Sequence, residues 1–421
     1  MSIYSKIGIA SPEILLPRKG TDLSRWAVIA CDQYTSEPKF WKTADELAGN
    51  QPSALRLILP EYYLPIENEE QQAKRLADIK TAAESYIRGD VFEKLPEGYI
   101  LTDRATSLHP SRKGLMVAVD LEKYSFKPED KALIRATEGT VIERIPPRVK
   151  IRSNSPLELP HVMLLIDDPE GTVIEAAWQK AADEGLENIY DTDLMQDCGH
   201  IKGVFVEDDS AIAEGIRKGL EALLDSSSDD LLFLVGDGNH SLASAKAYWE
   251  QVRETLSDDQ KETHPARYAL VEVVNIHDKG LDFEPIYRLV IGTSQSELLA
   301  KINAHYGDKL TDKENEQSFV VVGGEGSSDI RVSFKEPMHP LAVGTCDAVL
   351  SELGLTNVDY IHGEDSLREL SVGDNCGIML PAISKDTFFE TVARDGVFTR
   401  KTFSMGEAFE KRFYMEARSI I

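Results

Sequence analysis

An α/β fold of mixed sheets is what the sequence predicts, and three observations predict it. Short β-rich apolar runs bounded by turn residues recur along the chain: GYILTDR (98–104), GLMVAVDL (114–121), HVMLLIDD (161–168) and RYALVEVVNI (267–276). Stretches with helical spacing of apolar residues alternate with them. One run, LLFLV (231–235), passes straight into a helical stretch through the turn GDGNHS (236–241).

Taken in order, the opening residues form short apolar strands with Pro and Gly punctuation, as in WAVIAC (26–31). A helix follows near Glu67, with acids in its first turns and Gly89 at its end, both favourable to the helix dipole and to capping. Strands at 98–104, 114–121 and 161–168 come next. Between the last two, Pro146 and Pro147 point to loop or edge structure in RATEGTVIERIPPRVKIR (135–152). A polar helix near 173–185, the strand GHIKGVFV, the helix SAIAEGIRKGLEALLDS and the turn SSSDD lead to the 231–235 strand. In the helix after it, Leu242, Ala245, Trp249 and Val252 share one face. From about Pro285 a second unit reads as strand YRLVIG, helix ELLAKINAHYG, strands SFVVVGG and DIRVSF, helix AVLSELG and strand GIMLPA, closed by a helix MGEAFEKRFYMEAR.

A chain of 421 residues exceeds what one core usually supports, so two or three domains are expected. The division drawn from the pattern is an N-terminal α/β domain, 1–285, carrying the GDGNHS turn, and a smaller α+β domain, 286–421, with the closing helix. Apolar residues at 42% and charged residues at 28% are ordinary globular usage. A net charge of −26 repels phosphate backbones and anionic lipid, which argues against nucleic acid and membrane as partners. An anionic small molecule would need a local basic island.

Cys31, Cys198, Cys346 and Cys376 are far apart, with no CxxC pair and no zinc spacing, and read as reduced cytosolic thiols. The start MSIYSKIGIASPEILL has no uninterrupted apolar stretch of the secretory kind, so the expected location is cytoplasmic.

The turn is the chemical focus. An apolar strand ending at Gly236, Asp237, Gly238, Asn239 and His240 leaves free backbone amides at a helix start, an anion-binding arrangement. The glycines permit left-handed angles and close approach of a ligand. Asp237 can hold Mg²⁺ or a substrate hydroxyl, and His240 can contact a phosphate or move a proton. The plain alternative is a helix cap at Asn239 above a tight Asp237–Gly238 turn.

Two basic islands favour the ligand. Residues 135–152 hold five cations (Arg135, Arg144, Arg148, Lys150, Arg152) against Glu138 and Glu143; residues 400–412 hold four (Arg400, Lys401, Lys411, Arg412) against Glu407 and Glu410. Guanidinium forks and ammonium charges clamp phosphate, although surface ion pairs of no function look the same in sequence. Asp167 and Asp168 read as a metal pair or a turn, and Asp193, Asp197, Cys198, His200 and Lys202 as a polar loop. His362, Glu138 and Glu143 are candidate general bases. GxSxG, Walker and dinucleotide fingerprints do not occur.

Several longer stretches carry a resemblance: WAVIACDQYTSEP (26–38), LIRATEGTVIERIPPRVKIR (133–152), LELPHVMLLIDDPE (157–170), DLMQDCGHIKG (193–203), VGDGNHSLASAK (235–246), HPARYALVEVVNIHD (264–278) and KTFSMGEAFEKRFYMEAR (401–418). Together they resemble a bacterial family of unknown function, number ten-fifteen in its series, across essentially the whole chain. The turn in that family looks like the phosphate-facing turn of the ParB and sulfiredoxin-like superfamily, which includes a free serine kinase. The resemblance therefore implies a ParB/sulfiredoxin-like core in the larger N-terminal part. Related proteins usually follow the His with Arg, whereas this chain has Ser241.

Carried over, the resemblance nominates Asp237, Gly238, Asn239 and His240 as the phosphate turn, and Gly236 and Ser241 beside them are further expected phosphate contacts. Asp32, Arg135, Glu138, Arg144 and Arg148 form the facing wall, Lys401 adds a phosphate contact, and Asp32 touches substrate. Glu138 is the expected base, because nearby cations keep it ionised. The expected activity is transfer of phosphate from a nucleotide or pyrophosphate, with Mg²⁺ on Asp237, to a small hydroxyl metabolite such as serine. Two other readings use the same turn: a nucleotide or phosphometabolite sensor without turnover, and a metal-dependent phosphate-ester hydrolase on Asp167, Asp168 and Asp237.

Overall fold

The computed structural model describes every residue except Ser228, Glu314, Glu316, Glu325 and Arg400. Ser228 of the SSSDD turn and Arg400 of the second basic island thus lie outside the described residues. The chain divides into two compact units, Met1–Leu281 with Glu407–Ile421, and Asp282–Gly406. Both are mixtures of helix and strand.

In the first unit one mixed sheet runs in the order 188–193, 200–207, 92–105, 113–120, 268–275, 163–166, 233–237, 134–136, 124–125. The left half, to Tyr268–Asn275, is antiparallel throughout. Met163–Ile166 then runs parallel to Tyr268–Asn275 and antiparallel to Phe233–Asp237, which is itself parallel to Ile134–Ala136. Every residue of Tyr268–Asn275 and Met163–Ile166 is buried, as expected for central strands covered on both faces. Helices Ile174–Asp183, Ala211–Ser226 and Asn239–Arg253 bury Ile174, Ile216, Leu220, Leu242, Ala245 and Trp249 with one face of the sheet. The predicted apolar face of the last helix is therefore the one that packs.

The predicted helix near Glu67 is Glu69–Arg88, started by a reciprocal Asn68/Gln71 capping box and ended at Gly89. Two expectations are corrected. Residues 145–153, read as loop because of Pro146 and Pro147, form a helix, Ile145–Ser153, with proline in its first turn, where the amide lost by proline has no helical acceptor anyway. The closing helix over 405–418 is absent: the stretch holds the strand Phe403–Met405, a short 3-10 turn Ala408–Glu410, and the strands Phe413–Tyr414 and Arg418–Ser419.

That final stretch returns to the first unit as an extended strap. Phe413–Tyr414 pairs with Val28–Ile29, Arg418–Ser419 pairs with Leu157–Glu158, and Ala417 bridges Leu15. Its charged residues are interior: Arg412 is 3% exposed, Glu416 0%, and their strand partner Glu272 1%. Arg412 is paired with Glu416 and, at 3.4 Å, with Glu272. Thr102 Oγ1 donates to Glu272 at 2.6 Å, and the Tyr190 hydroxyl donates to Glu416 at 2.5 Å. Arg418 donates to Glu158 at 2.6 Å.

The second unit is an antiparallel sheet in the order 330–332, 319–322, 376–379, 283–290, 358–362, with Phe403–Met405 on the start of Phe283–Val290. Helices Gln295–Tyr306 and Ala342–Glu352 fill its core with Leu298, Ile302, Tyr306, Cys346 and Val349. Arg288, fully buried, donates to Asp347 and to the carbonyls of Ile286 and Lys401. No helix among the described residues is long and apolar enough to cross a membrane.

Removing one partner from a buried ion cluster leaves the others uncompensated. The Arg412→Met variant is expected to lose about 3–5 kcal/mol of unfolding free energy, read as a lowered urea midpoint at unchanged slope. A shift under about 1 kcal/mol would show that the cluster contributes no more than a surface pair.

Candidate functional site

The 233–237 strand is apolar until its last two residues, and the chain must reverse there to begin a helix. Gly238 supplies the reversal with φ 83° and ψ 26°, a left-handed conformation that strains any side chain. A Cβ at Gly238 would also stand 3.0 Å from Val162 Cα and 3.4 Å from His161 Cδ2. The turn is thus pressed against the segment leading into Met163–Ile166.

The Gly238 amide is taken by its neighbour, donating to Asp237 Oδ1 at 2.8 Å, while the Ser241 and Leu242 amides return to the Gly238 carbonyl. The start of the Asn239–Arg253 helix also carries the positive end of its dipole. Asn239 Oδ1 is buried without a hydrogen-bond partner, as is the Thr140 hydroxyl on the facing loop. Unpaired buried polar atoms are costly and commonly mark a position where another molecule completes the bonding.

His240 Nε2 accepts the Val141 amide at 3.1 Å, so this ring nitrogen brackets the 137–141 loop and is not open to a substrate proton. Thr137 Oγ1 ties the same loop to the strand through the Val235 carbonyl at 2.6 Å. Glu138 lies half-buried on this loop, Gly236 half-buried on the strand, and Ser241 half-buried on the helix.

Two charged side chains and a histidine reach the turn from remote stretches. Lys411 of the strap pairs with Asp237 Oδ2 at 3.2 Å, both side chains largely sheltered. Asp32 follows the Val28–Ile29 strand on which the strap pairs. Burial alone would push its carboxyl up, but His161, the Gln33 amide (Nε2 to Oδ1, 2.9 Å) and Lys411 outweigh that and hold it below the ordinary carboxylate value. His161 Nδ1 and the Tyr414 hydroxyl are hydrogen-bonded at 2.6 Å, and the Cys31 amide donates to the same hydroxyl at 3.1 Å. Burial, with Asp32 nearby, pushes the Cys31 thiol up to about 12, and burial raises Tyr414 well above its usual value. Neither is a nucleophile at neutral pH.

Beside the turn is a pocket of about 130 Å³. Ser241, Ser244, His161, Tyr414, Arg148 and Glu61 are its polar walls, and Leu57, Ile58, Leu64 and Ile151 its apolar ones. Arg148 is paired with Glu61, and Arg152 with Glu158. The Ile145–Ser153 helix bearing both arginines packs on the Asn239–Arg253 helix through Ile145, Val149 and Ala243.

The structure therefore brings together Asp32, Arg148, Asp237, Gly238, Asn239, His240 and Ser241. It does not bring Arg135: the guanidinium binds Asp229 (2.8 Å) and the Ala132 and Asp229 carbonyls, at the start of the parallel 134–136 and 233–237 strands, whereas the turn is at their far end. Arg144 is exposed, its carbonyl accepting from Arg148. Lys401 belongs to the second unit. Asp167 and Asp168 stand at the opposite end of Met163–Ile166 from Asp237, which pairs with Met163, about 13 Å away along the strand. Asp167 is bonded to His277 at 2.7 Å, and Asp168 accepts from Thr172 and the Val173 amide. The three carboxylates cannot share one ion, and the hydrolase reading built on them falls. The polar loop read at 193–202 is instead strand in part, with His200 bonded to Asp191 and Asp193 across the 188–193/200–207 pair. Exposed His362 ends the 358–362 strand of the second unit.

His161 and Tyr414 escaped the sequence reading as site residues. Lys411 was visible as charge in the second island. His161 sits one residue after a proline and before an apolar strand, the only local signal that a polar ring opens a buried element.

The fold is thus a mixed-sheet α/β protein with its candidate site at a strand-to-helix turn. The chain belongs to the family described as protein of unknown function (DUF1015), whose model matches residues 15–353. None of the curated proteins compared with the chain matches it. Among solved structures it is similar to SbnI with a C-terminal truncation from Staphylococcus aureus, at 8% identity and TM-score 0.36 over 69% of this chain and 82% of that one. It is also similar to a free serine kinase in complex with AMP, at 13% identity and TM-score 0.36 over 71% and 90%. A conserved hypothetical protein from Pyrococcus furiosus is similar at 14% identity and TM-score 0.33 over 71% and 93%.

Because the folded-state value of Asp32 is depressed, its ionised form contributes stability above about pH 4, the unfolded value. That contribution is lost as pH falls through the lower folded-state value. The stability difference between the wild type and Asp32→Asn should hold steady from about pH 6 to 5 and close below about pH 4 in urea titrations. A difference that widens on acidification would mean the carboxyl is held protonated instead.

Proposed function

We propose that the chain is a phosphotransferase that moves a phosphoryl group from a nucleotide or pyrophosphate to the hydroxyl of a small metabolite. The observation that carries the reading is the convergence of Asp32, His161, Asp237 and Lys411 on the Gly238 turn, from four separate stretches of chain. Buried charged groups are expensive to assemble where no chemistry uses them.

In this reading the start of the Asn239–Arg253 helix and Ser241 cradle the anion. Lys411, a compact ammonium on the sheltered strap, swings its charge from Asp237 to the phosphoryl oxygens. Asp32, kept ionised by His161 and Lys411, orients the acceptor hydroxyl and takes its proton. A depressed pKa is no handicap, because phosphoryl transfer through a loose transition state asks mainly for positioning. Asp32 replaces Glu138 as the base. Glu138 stays on the loop that His240 brackets, and His240 acts by holding that loop. The small pocket suits a phosphate-sized group with a short acceptor more than a large one.

Among the described residues no group of three or more His, Cys, Asp or Glu could hold a metal. Mg²⁺ is, however, commonly held by one or two carboxylates together with substrate phosphates and water, and Asp32 and Asp237 fit that part. Bound there it would neutralise charge on the transferring group. Mg²⁺ alone should therefore give no measurable heat in calorimetry, whereas Mg²⁺ added with pyrophosphate or ADP should.

The activity test is incubation with ATP, ADP or pyrophosphate, Mg²⁺ and pooled hydroxy metabolites, serine among them, read by mass for a phosphorylated product. Asp32→Asn and Asp237→Asn should each lower turnover by about 10²-fold or more, and His240→Ala by less, through loop disorder. Full turnover in both Asp variants removes the turn from the mechanism. Ligand binding without product would make the chain a binding protein.

A further inference from the structure

A second concavity, of about 400 Å³, lies on the first unit and is walled by Lys80, Ile87, Arg88, Ser155 and Tyr248. Its size falls within the range of small-ligand sites. Ser155 also borders the inner pocket at the turn, so the two spaces share a wall residue. Arg152, a wall of the inner pocket, has its guanidinium 6.0 Å from the centre of the Tyr248 ring.

The Asn239–Arg253 helix orders these spaces. Ser241 and Ser244 face the inner one and Tyr248 the outer one, and positions three, four and seven apart lie along one helical face. At 1.5 Å rise per residue, Ser241 and Tyr248 are about 10 Å apart along the axis. That is the reach of a short polyphosphate chain laid from the helix start along the helix.

The chemistry of the outer groove is unlike that of the turn. Arg88 is paired with Glu84 at 3.5 Å and Lys80 adds one further cation, so the groove has few of the charges that clamp a phosphate. It offers instead a half-buried aromatic ring, the 47%-exposed Ile87 side chain and small polar groups. A ring face flanked by apolar carbon and hydroxyls fits a heterocyclic base and a sugar.

Resting on the phosphotransferase reading, we infer that the outer groove holds the nucleoside of the phosphate donor. The donor is then a nucleoside di- or triphosphate and not pyrophosphate. Its terminal phosphate lies at the turn, its polyphosphate passes Ser244 and Ser155, and its base rests on Tyr248.

The test is calorimetric binding of ADP and of pyrophosphate, each with Mg²⁺, to the full chain and three variants. Tyr248→Ala should weaken ADP about tenfold or more, the loss of one base–aromatic stack, and leave pyrophosphate within about twofold. Tyr248→Phe should keep ADP binding. Since Tyr248 also packs on the helices, Ile87→Trp serves as the independent variant: it fills the groove from an exposed position and should likewise weaken ADP alone. Unchanged ADP affinity in both Tyr248→Ala and Ile87→Trp overturns the inference, as does parallel loss of ADP and pyrophosphate in Ile87→Trp. A wild-type chain that binds pyrophosphate but not ADP also overturns it while leaving the turn's role standing. Failure to bind either sinks both.

Discussion

Arg412, enclosed by Glu272 and Glu416, is the constraint on which the site depends. A guanidinium without water must be matched closely by carboxylates, and both of these are themselves buried and hydrogen-bonded to Thr102 and Tyr190. Because Glu272 stands on a central strand, the match fixes the strap against the middle of the sheet. Residues on either side of Arg412 are then placed without freedom to wander. Lys411 points to Asp237, and Tyr414 points to His161 and the Cys31 amide. The strap works as a support whose interior charges set its register and whose neighbours border the candidate site.

The turn is held from the other side by shape. Gly238 cannot carry a side chain without meeting the Val162 backbone, so the strand end, the His161 segment and the helix start form one packed corner. The Ile145–Ser153 helix closes the approach by packing on the helix that the turn begins. Of the basic segment, Arg148 and Arg152 line the pocket beside the turn, where their carboxylate partners Glu61 and Glu158 keep them orderly.

The strands and most helices were legible because their signals are local: β-branched apolar runs, and an Asn–Gln capping box before Glu69. The closing segment was misread for an equally physical reason. Phe409, Phe413 and Ala417 recur every four residues, a helical period, yet pairing with Val28–Ile29 and Leu157–Glu158 overrides it. Pro146 and Pro147 were read as breakers although the first turn of a helix accepts them. Of the site, the turn itself was visible, since glycines between a strand and a helix announce it. The convergence was not. Charge counting cannot tell Arg135, spent on Asp229, from Arg148, which lines the pocket. Nor does any local pattern say that Lys411 meets Asp237 across more than 170 residues of chain.

The order of the two units along the chain carries a consequence for biogenesis. Residues 282–406 intervene between the sheet of the first unit and the strap that finishes it. A ribosome will have released the whole central sheet long before it reaches Lys411 and Arg412. Until then Glu272 has no buried cation to meet, and Asp237 has no ammonium. The nascent protein therefore passes through a stage in which its framework is made but the corner at Gly238 is incomplete, and translation of the strap is the step that completes it.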